Sequence, residues 1–231
     1  MDWLRFTRER VFMLGSWILL VQTLTQAPVF AETYVAGQIG YTVPHSLTSV
    51  EFDDPDPVFA GIKSSNLDLK NSLMYGAKLG HYLNSARWFG LEMEAFHTSP
   101  HIKQQNVTLT VPAGGSLVIP DQAGATLRVT TLAFNLLARY PGERFQPYAA
   151  AGVGVFFANL DNKANNDSQS SVAPGLNTQV GLRYLLTQHV AIFGEWKFNY
   201  ARFGFNDTPA LIGFNATYIA HHFVFGVGYH F

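Results

Sequence analysis

The chain has 231 residues, of which 48% are hydrophobic, 14% aromatic and only 13% charged. Soluble globular domains carry about 25% charged residues at a similar apolar fraction, so an ordinary cytosolic enzyme and a polar disordered chain both fit poorly. A net charge of −1 gives no global basic field to hold nucleic acid, and the lack of cysteine excludes disulfides and thiolate metal sites.

Residues 1–31 read as a secretory signal cleaved after Ala31. Arg5, Arg8 and Arg10 form its basic start, Val11 to Leu24 its apolar stretch, and Val29-Phe30-Ala31 its small-residue exit before Glu32. The apolar stretch is shorter than the roughly 20 residues of a spanning helix and is interrupted by Gly15, Ser16 and Gln22.

From residue 32 onward, period-two alternation dominates. It predicts strands near 34–43, 72–82, 88–97, 126–140, 145–158, 176–186, 190–200 and 216–231. Each has one apolar face and one face of glycine, amide and charge. In the first, Val35, Ile39 and Tyr41 oppose Ala36, Gln38 and Thr42. In the last, Phe223, Phe225, Val227, Tyr229 and Phe231 oppose Gly226, Gly228 and His230. Near 126–130 the phase breaks, since Leu127 and Val129 fall on the polar side, which suggests a bulge or a piece standing clear of the apolar band.

Long connections, at about 44–71, 98–125, 159–174 and 201–215, alternate with short ones, as in an antiparallel meander whose two ends face different compartments. The expectation is an all-β protein, an eight-stranded antiparallel up-and-down transmembrane β-barrel in one domain, 32–231. The polar faces hold few charges and many small residues, which suits a narrow lumen better than a water-facing exterior.

Aromatics gather on the apolar face at the short-connection end. Phe89, Tyr140, Phe145, Tyr184, Tyr229 and Phe231 would form an interfacial girdle. Tyr41, Phe157, Tyr200 and Tyr218 would supply a second belt, although Tyr218 falls on the inward phase.

The C-terminal Phe231, after Tyr229 in an alternating aromatic strand, resembles the signal read by the outer-membrane barrel insertion machinery. Tyr34 to Tyr41, Leu132 to Tyr140 and Pro147 to Val155 resemble the small outer-membrane β-barrel family, the group of the OmpA transmembrane domain and the opacity-type porins. The resemblance implies the outer membrane of a Gram-negative bacterium, with outer-membrane lipid, lipopolysaccharide and the insertion machinery as partners. It does not extend to a peptidoglycan-binding domain, so a cell-wall anchoring role is not expected.

Lys78, Glu92, Glu94, Arg139, Arg183, Glu195 and Lys197 share the inward phase and should pair in the lumen, because unpaired buried charges are costly. A hairpin turning about Ser85 would set Lys78 opposite Glu92, and one centred near His189 would set Arg183 opposite Glu195. These charges read as a plug rather than a gated pore.

His97-Thr98-Ser99 is similar to the His-x-Ser arrangement of outer-membrane lipid A deacylases, but Pro100 replaces the expected Asn and no acid partner is evident. His97 and His101 are separated by Pro100 in a loop, which disfavours a metal site. His221 and His222 would face opposite sides of a strand. The acidic Glu51, Asp53, Asp54 and Asp56 read as a solvated loop. Residues 107–119 read as a hairpin that would extend the third and fourth strands and offer an edge to a partner.

The expected role is non-enzymatic, with no cofactor or metal: envelope structure with adhesion-like surface recognition by extracellular loops and an unidentified ligand. The alternatives are a passive channel for small solutes and a lipid A-modifying enzyme.

Overall fold

The computed structural model describes residues 32–52, 61–112, 114–122, 124–162, 167–208 and 212–231. The signal segment and the acidic Asp53, Asp54 and Asp56 lie outside them. The described residues contain strands and no helix.

Eight long strands close a ring. In chain order they are β1 (Thr33–Pro44), β5 (Ser72–Leu83), β6 (Ala86–Thr98), β10 (Thr126–Arg139), β11 (Phe145–Asn162), β12 (Asp167–Leu185), β13 (Val190–Phe205) and β14 (Phe214–His230). Neighbours pair antiparallel, and β1 pairs β14 to complete the circle. Closure leaves this wall with no open edge, so backbone donors and acceptors are matched within the protein, as hydrocarbon demands.

The register fixes the tilt. Paired residues followed once round the ring from Thr42 run through His222, Lys197, Gln179, Ala150, Leu137, Gly90 and Tyr82. Tyr82 then meets Glu32, ten residues below the start. A shear of ten over eight strands inclines them by roughly 40° to the axis.

The outer wall is apolar where lipid would lie: Ile39, Leu73, Phe134, Val153 and Phe225 are exposed. A spanning strand needs about 9–11 residues, yet β11 has 18 and β12 has 19. The barrel therefore rises well beyond the hydrocarbon at the long-connection end.

Shorter strands fill the long connections: β2 (Thr48–Phe52), β3 (Lys63–Ser64), β4 (Leu69–Lys70), β7 (His101–Ile102), β8 (Gln105–Thr110) and β9 (Ser116–Gln122). β2 pairs the top of β14, then β3, β8 and β9 follow in a small sheet off the barrel wall. The expected hairpin is present as β8–β9, but it does not extend β6 and β10. Past Thr98, Ser99 and Pro100 interrupt β6, and only two-residue β7 resumes the pairing with β10. The chain then crosses to β3, and β9 is the outermost strand of this sheet.

Candidate functional site

The lower interior is polar. Lys78, Glu92, Glu94, Arg139, Arg183, Glu195 and Lys197 are all buried inside the barrel, in two layers. In the upper layer, Lys78 Nζ donates to Glu195 Oε1 at 2.5 Å and Gln179 Oε1 at 3.1 Å. Lys197 Nζ donates to Glu94 and, at 2.8 Å, to the same Gln179 oxygen. The Gln179 amide donates in turn to Glu92 Oε1 at 2.7 Å. Asn177 donates to Glu94 at 2.6 Å and Asn135 to Glu92 at 3.2 Å, while Tyr34 and Tyr148 donate their hydroxyls to Glu92 and Glu195.

Three carboxylates against two ammoniums leave this layer one charge negative. The layer below restores the balance. Arg139 grips Glu32 with both terminal nitrogens, donates Nε–H to Arg87 O at 3.0 Å, and lies 3.6 Å over the Tyr82 ring. Arg183 lies 4.4 Å from the Tyr34 ring and 5.4 Å from Tyr148, with Glu32 at 4.0 Å. Two guanidiniums and one carboxylate make this layer one charge positive. Burial alone would raise the Glu32 carboxyl, but hydrogen bonds to His230 and Arg139 and the Arg139 charge hold it down at about 2.

Two expected pairings are corrected by the register. Lys78 stands opposite Glu94 rather than Glu92, because β6 carries extra residues between Ala86 and Gly90 and slips past Tyr82. Arg183 stands opposite Phe193, and Glu195 opposite Gly181. That hairpin closes with Leu186 N on Val190 O at 2.9 Å, so it turns nearer Gln188 than His189. The clustering does not depend on facing pairs, because across so narrow a lumen Lys78 reaches Glu195 from a distant strand.

The upper interior is apolar. Leu127, Val129, Phe156, Leu160, Phe203, Phe205, Phe214 and Tyr218 pack there with Leu47, Val50, Leu69 and Ile102 from the long connections. β10 shows no bulge, since its pairing with β11 is unbroken from Thr126 to Arg139. The broken phase at Leu127 and Val129 instead marks where the lumen turns from polar to apolar. Above that level the outer face becomes polar, with Thr130, Arg128 and Thr126 on β10 and Arg202 on β13. Tyr218 points inward and is 1% exposed, so it takes no part in an outer belt.

A closed ring of eight tilted antiparallel strands, apolar outside and charged inside, has the form of a membrane barrel. The family described as outer membrane protein beta-barrel domain matches residues 18–231. The chain belongs to that family. As an outer membrane β-barrel protein it resides in the outer membrane of a Gram-negative bacterium. No curated relative matches the chain. Among solved structures it resembles the outer membrane protein OprG from Pseudomonas aeruginosa, at 17% identity, covering 87% of this chain and 96% of that one, with a TM-score of 0.56. It also resembles Neisserial surface protein A at 14% identity, covering 86% and 97%, with a TM-score of 0.53.

In barrels of this family the short turns face the periplasm. At that end Tyr140, Phe145, Tyr229 and Phe231 are exposed on the outer wall, and Phe89 and Tyr184 are partly exposed beside them. Phe145 packs against Tyr184 and Tyr229 against Phe231. At the other end His97 and Ser99 both face outward, and His97 Nδ1 meets the Thr130 hydroxyl at 2.9 Å, where a catalytic triad requires a carboxylate. His101 likewise meets Thr126 at 3.2 Å. His222 points inward to Thr42, and His221 outward to Trp196.

Sequence reasoning passed over Glu32, Tyr34, Tyr82, Tyr148 and Gln179 as site residues. The three tyrosines sit on inward positions where an aromatic reads as packing. Glu32 stands before the first strand, where no alternation assigns it a face.

Proposed function

We propose that the barrel is a non-conducting scaffold and that its working surface is the extracellular sheet β2–β3–β8–β9. The observation carrying this reading is burial at successive heights of the lumen. Tyr34 is 1% exposed, Glu94 1%, Lys197 0%, Asn177 0%, Phe156 0% and Phe203 0%. A water-filled path would wet the side chains that line it, and the charged layers and apolar chamber lie in series. The β8–β9 hairpin above them exposes Leu117 and Val118, on opposite faces of its outermost strand, which suits a recognition surface better than a solvated loop. An adhesion-like role follows from that placement.

The test has two parts. Purified protein in planar bilayers is expected to give no stable openings; regular large conductance steps would overturn the scaffold reading in favour of a solute channel. Cells displaying the protein with residues 105–122 deleted are expected to lose surface adherence while the barrel retains its heat-modifiable mobility. Unchanged adherence would remove the hairpin from the working surface.

A further inference from the structure

Along one seam of the outer wall, where the apolar belt ends on the extracellular side, cationic and hydroxyl side chains stand in register. In the upper row, Lys70 pairs with His101, His101 with Thr126, and Thr126 with Asp161, across β4, β7, β10 and β11. In the lower row, Tyr75 pairs with His97, His97 with Thr130, and Thr130 with Phe157. Arg128 lies between the rows on β10, its side chain half exposed and 2.5 Å from Asp161.

Both histidines are oriented in the same manner. Nδ1 of each engages a threonine hydroxyl of β10; for His97 this leaves the Nε2 edge to meet a ligand, while the Nε2 edge of His101 packs against Gly124. Lys70, Lys103 and Arg128 outnumber Asp161 and Asp68, the residue facing Lys103, so the seam is positive by one charge even with both imidazoles neutral. Beneath His97 and Thr130 lies an exposed apolar wall that includes Met93, Leu132 and Phe134. An occupant must satisfy both parts: an anion at the level of Arg128 and hydrocarbon along the wall below. A lipid of the outer leaflet does so in its natural orientation. Cations on different strands, Lys70 on β4 and Arg128 on β10, suit the several oxygens of a phosphate better than the two of a carboxylate.

We propose that this seam binds the phosphorylated headgroup of an outer-leaflet lipid, with Arg128, Lys70 and His97 meeting the phosphate. Asp161 competes with that phosphate for Arg128 and limits the affinity.

The test measures lipid retention by the purified full chain in native mass spectrometry. The probes are phosphorylated lipid A, the same lipid A enzymatically dephosphorylated, and inorganic phosphate alone. Wild-type protein is expected to retain the phosphorylated lipid at least about tenfold better than the dephosphorylated one, the scale of one lost charge-assisted contact. Arg128→Gln should lose about tenfold, the scale of that same contact, while Arg202→Gln, outward on β13, should match wild type. Asp161→Asn frees Arg128 without removing a cation and should raise retention, so the proposal stays testable even where Arg128→Gln folds poorly. Equal retention of the two lipids, or an Asp161→Asn variant that binds no better, would overturn it. Displacement of the lipid by millimolar inorganic phosphate would also overturn it, by marking a site for soluble anions.

Discussion

The long strands pass through two regions with opposite rules. In the lower region the wall is apolar outside and charged inside: on β10, Phe134 and Leu136 face out while Asn135 and Arg139 face in. In the upper region the same strand is polar outside and apolar inside, with Arg128 and Thr130 outward and Leu127 and Val129 inward. The pleat continues through the change without a slip. What changes is the outer solvent, from lipid to water. The lower region keeps its charges in the lumen because lipid-facing charge is penalised. The upper region is built like a soluble barrel, with an ordinary hydrophobic core.

The largest expected effect comes from breaking the lower interior. Lys197→Met strips Glu94 and Glu195 of a partner they meet in a site with almost no solvent exposure. Uncompensated buried charge costs about 3–5 kcal/mol, so denaturant unfolding in lipid should show a loss of that order. Adding Glu94→Gln to Lys197→Met restores the charge balance and should recover most of it. A double variant as unstable as the single would mean that the network contributes by shape and not by charge.

Next is the outer wall. Phe134→Lys, on the lipid side of the lower region, should cost about 2–4 kcal/mol, as cations do near the bilayer midplane. A lysine at Thr130, four residues up the same strand and on the same face, should be nearly neutral. Equal costs at the two positions would place the change of solvent elsewhere.

The sequence made the ring legible because each strand crosses one uniform solvent, and alternation there has a single meaning. Alternation of the kind seen in Val35 to Tyr41, Leu132 to Tyr140 and Phe223 to Phe231 recurs in each of the eight strands, and it sets Lys78, Glu92, Glu94, Arg139, Arg183, Glu195 and Lys197 on the inward phase. The upper region was not legible in the same way. At Leu127 and Val129 the alternation kept its period but reversed its meaning, and a reversal of solvent reads like an irregularity of the chain. The facing partners of Lys78 and Arg183 were missed because two residues of hairpin slip move a pairing by one inward position. That slip depends on turn geometry at Asn84–Ser85 and Leu186–His189, which hydrophobic patterning does not encode. The sheet β2–β3–β8–β9 joins segments of two separate connections, and no local pattern announces such a pairing.

A finer comparison uses two inward neighbours on β10 at the boundary. Val129 is 1% exposed in the apolar chamber, and Val129→Thr puts a hydroxyl there without a partner, at a cost of about 1–3 kcal/mol. Thr131, two residues below, is 0% exposed, and its hydroxyl has no hydrogen-bond partner among the described residues. Thr131→Val should therefore be neutral or stabilising in the same unfolding measurement. Valine favoured at both positions would extend the apolar chamber down to Thr131, whereas a cost at both positions would place the boundary between the two residues.

The smallest effect lies at the periplasmic rim, where the lower region meets water. The Glu32 carboxyl titrates at about 2 when folded, against 4.5 for the unperturbed group. A depressed carboxyl stabilises the folded state fully above its unfolded value and loses that contribution as pH falls through its folded value. The decline should therefore run from about pH 4.5 toward pH 2. Because Glu32 is partly exposed, solvent screening should hold its size to about 1 kcal/mol or less. Comparing wild type with Glu32→Gln across that window isolates the contribution: the two stability curves should converge as pH falls. Curves that stay parallel would mean that Arg139 is held by Tyr82, the Gln146 side chain and the Arg87 carbonyl, and that the positive layer needs no carboxylate at the rim.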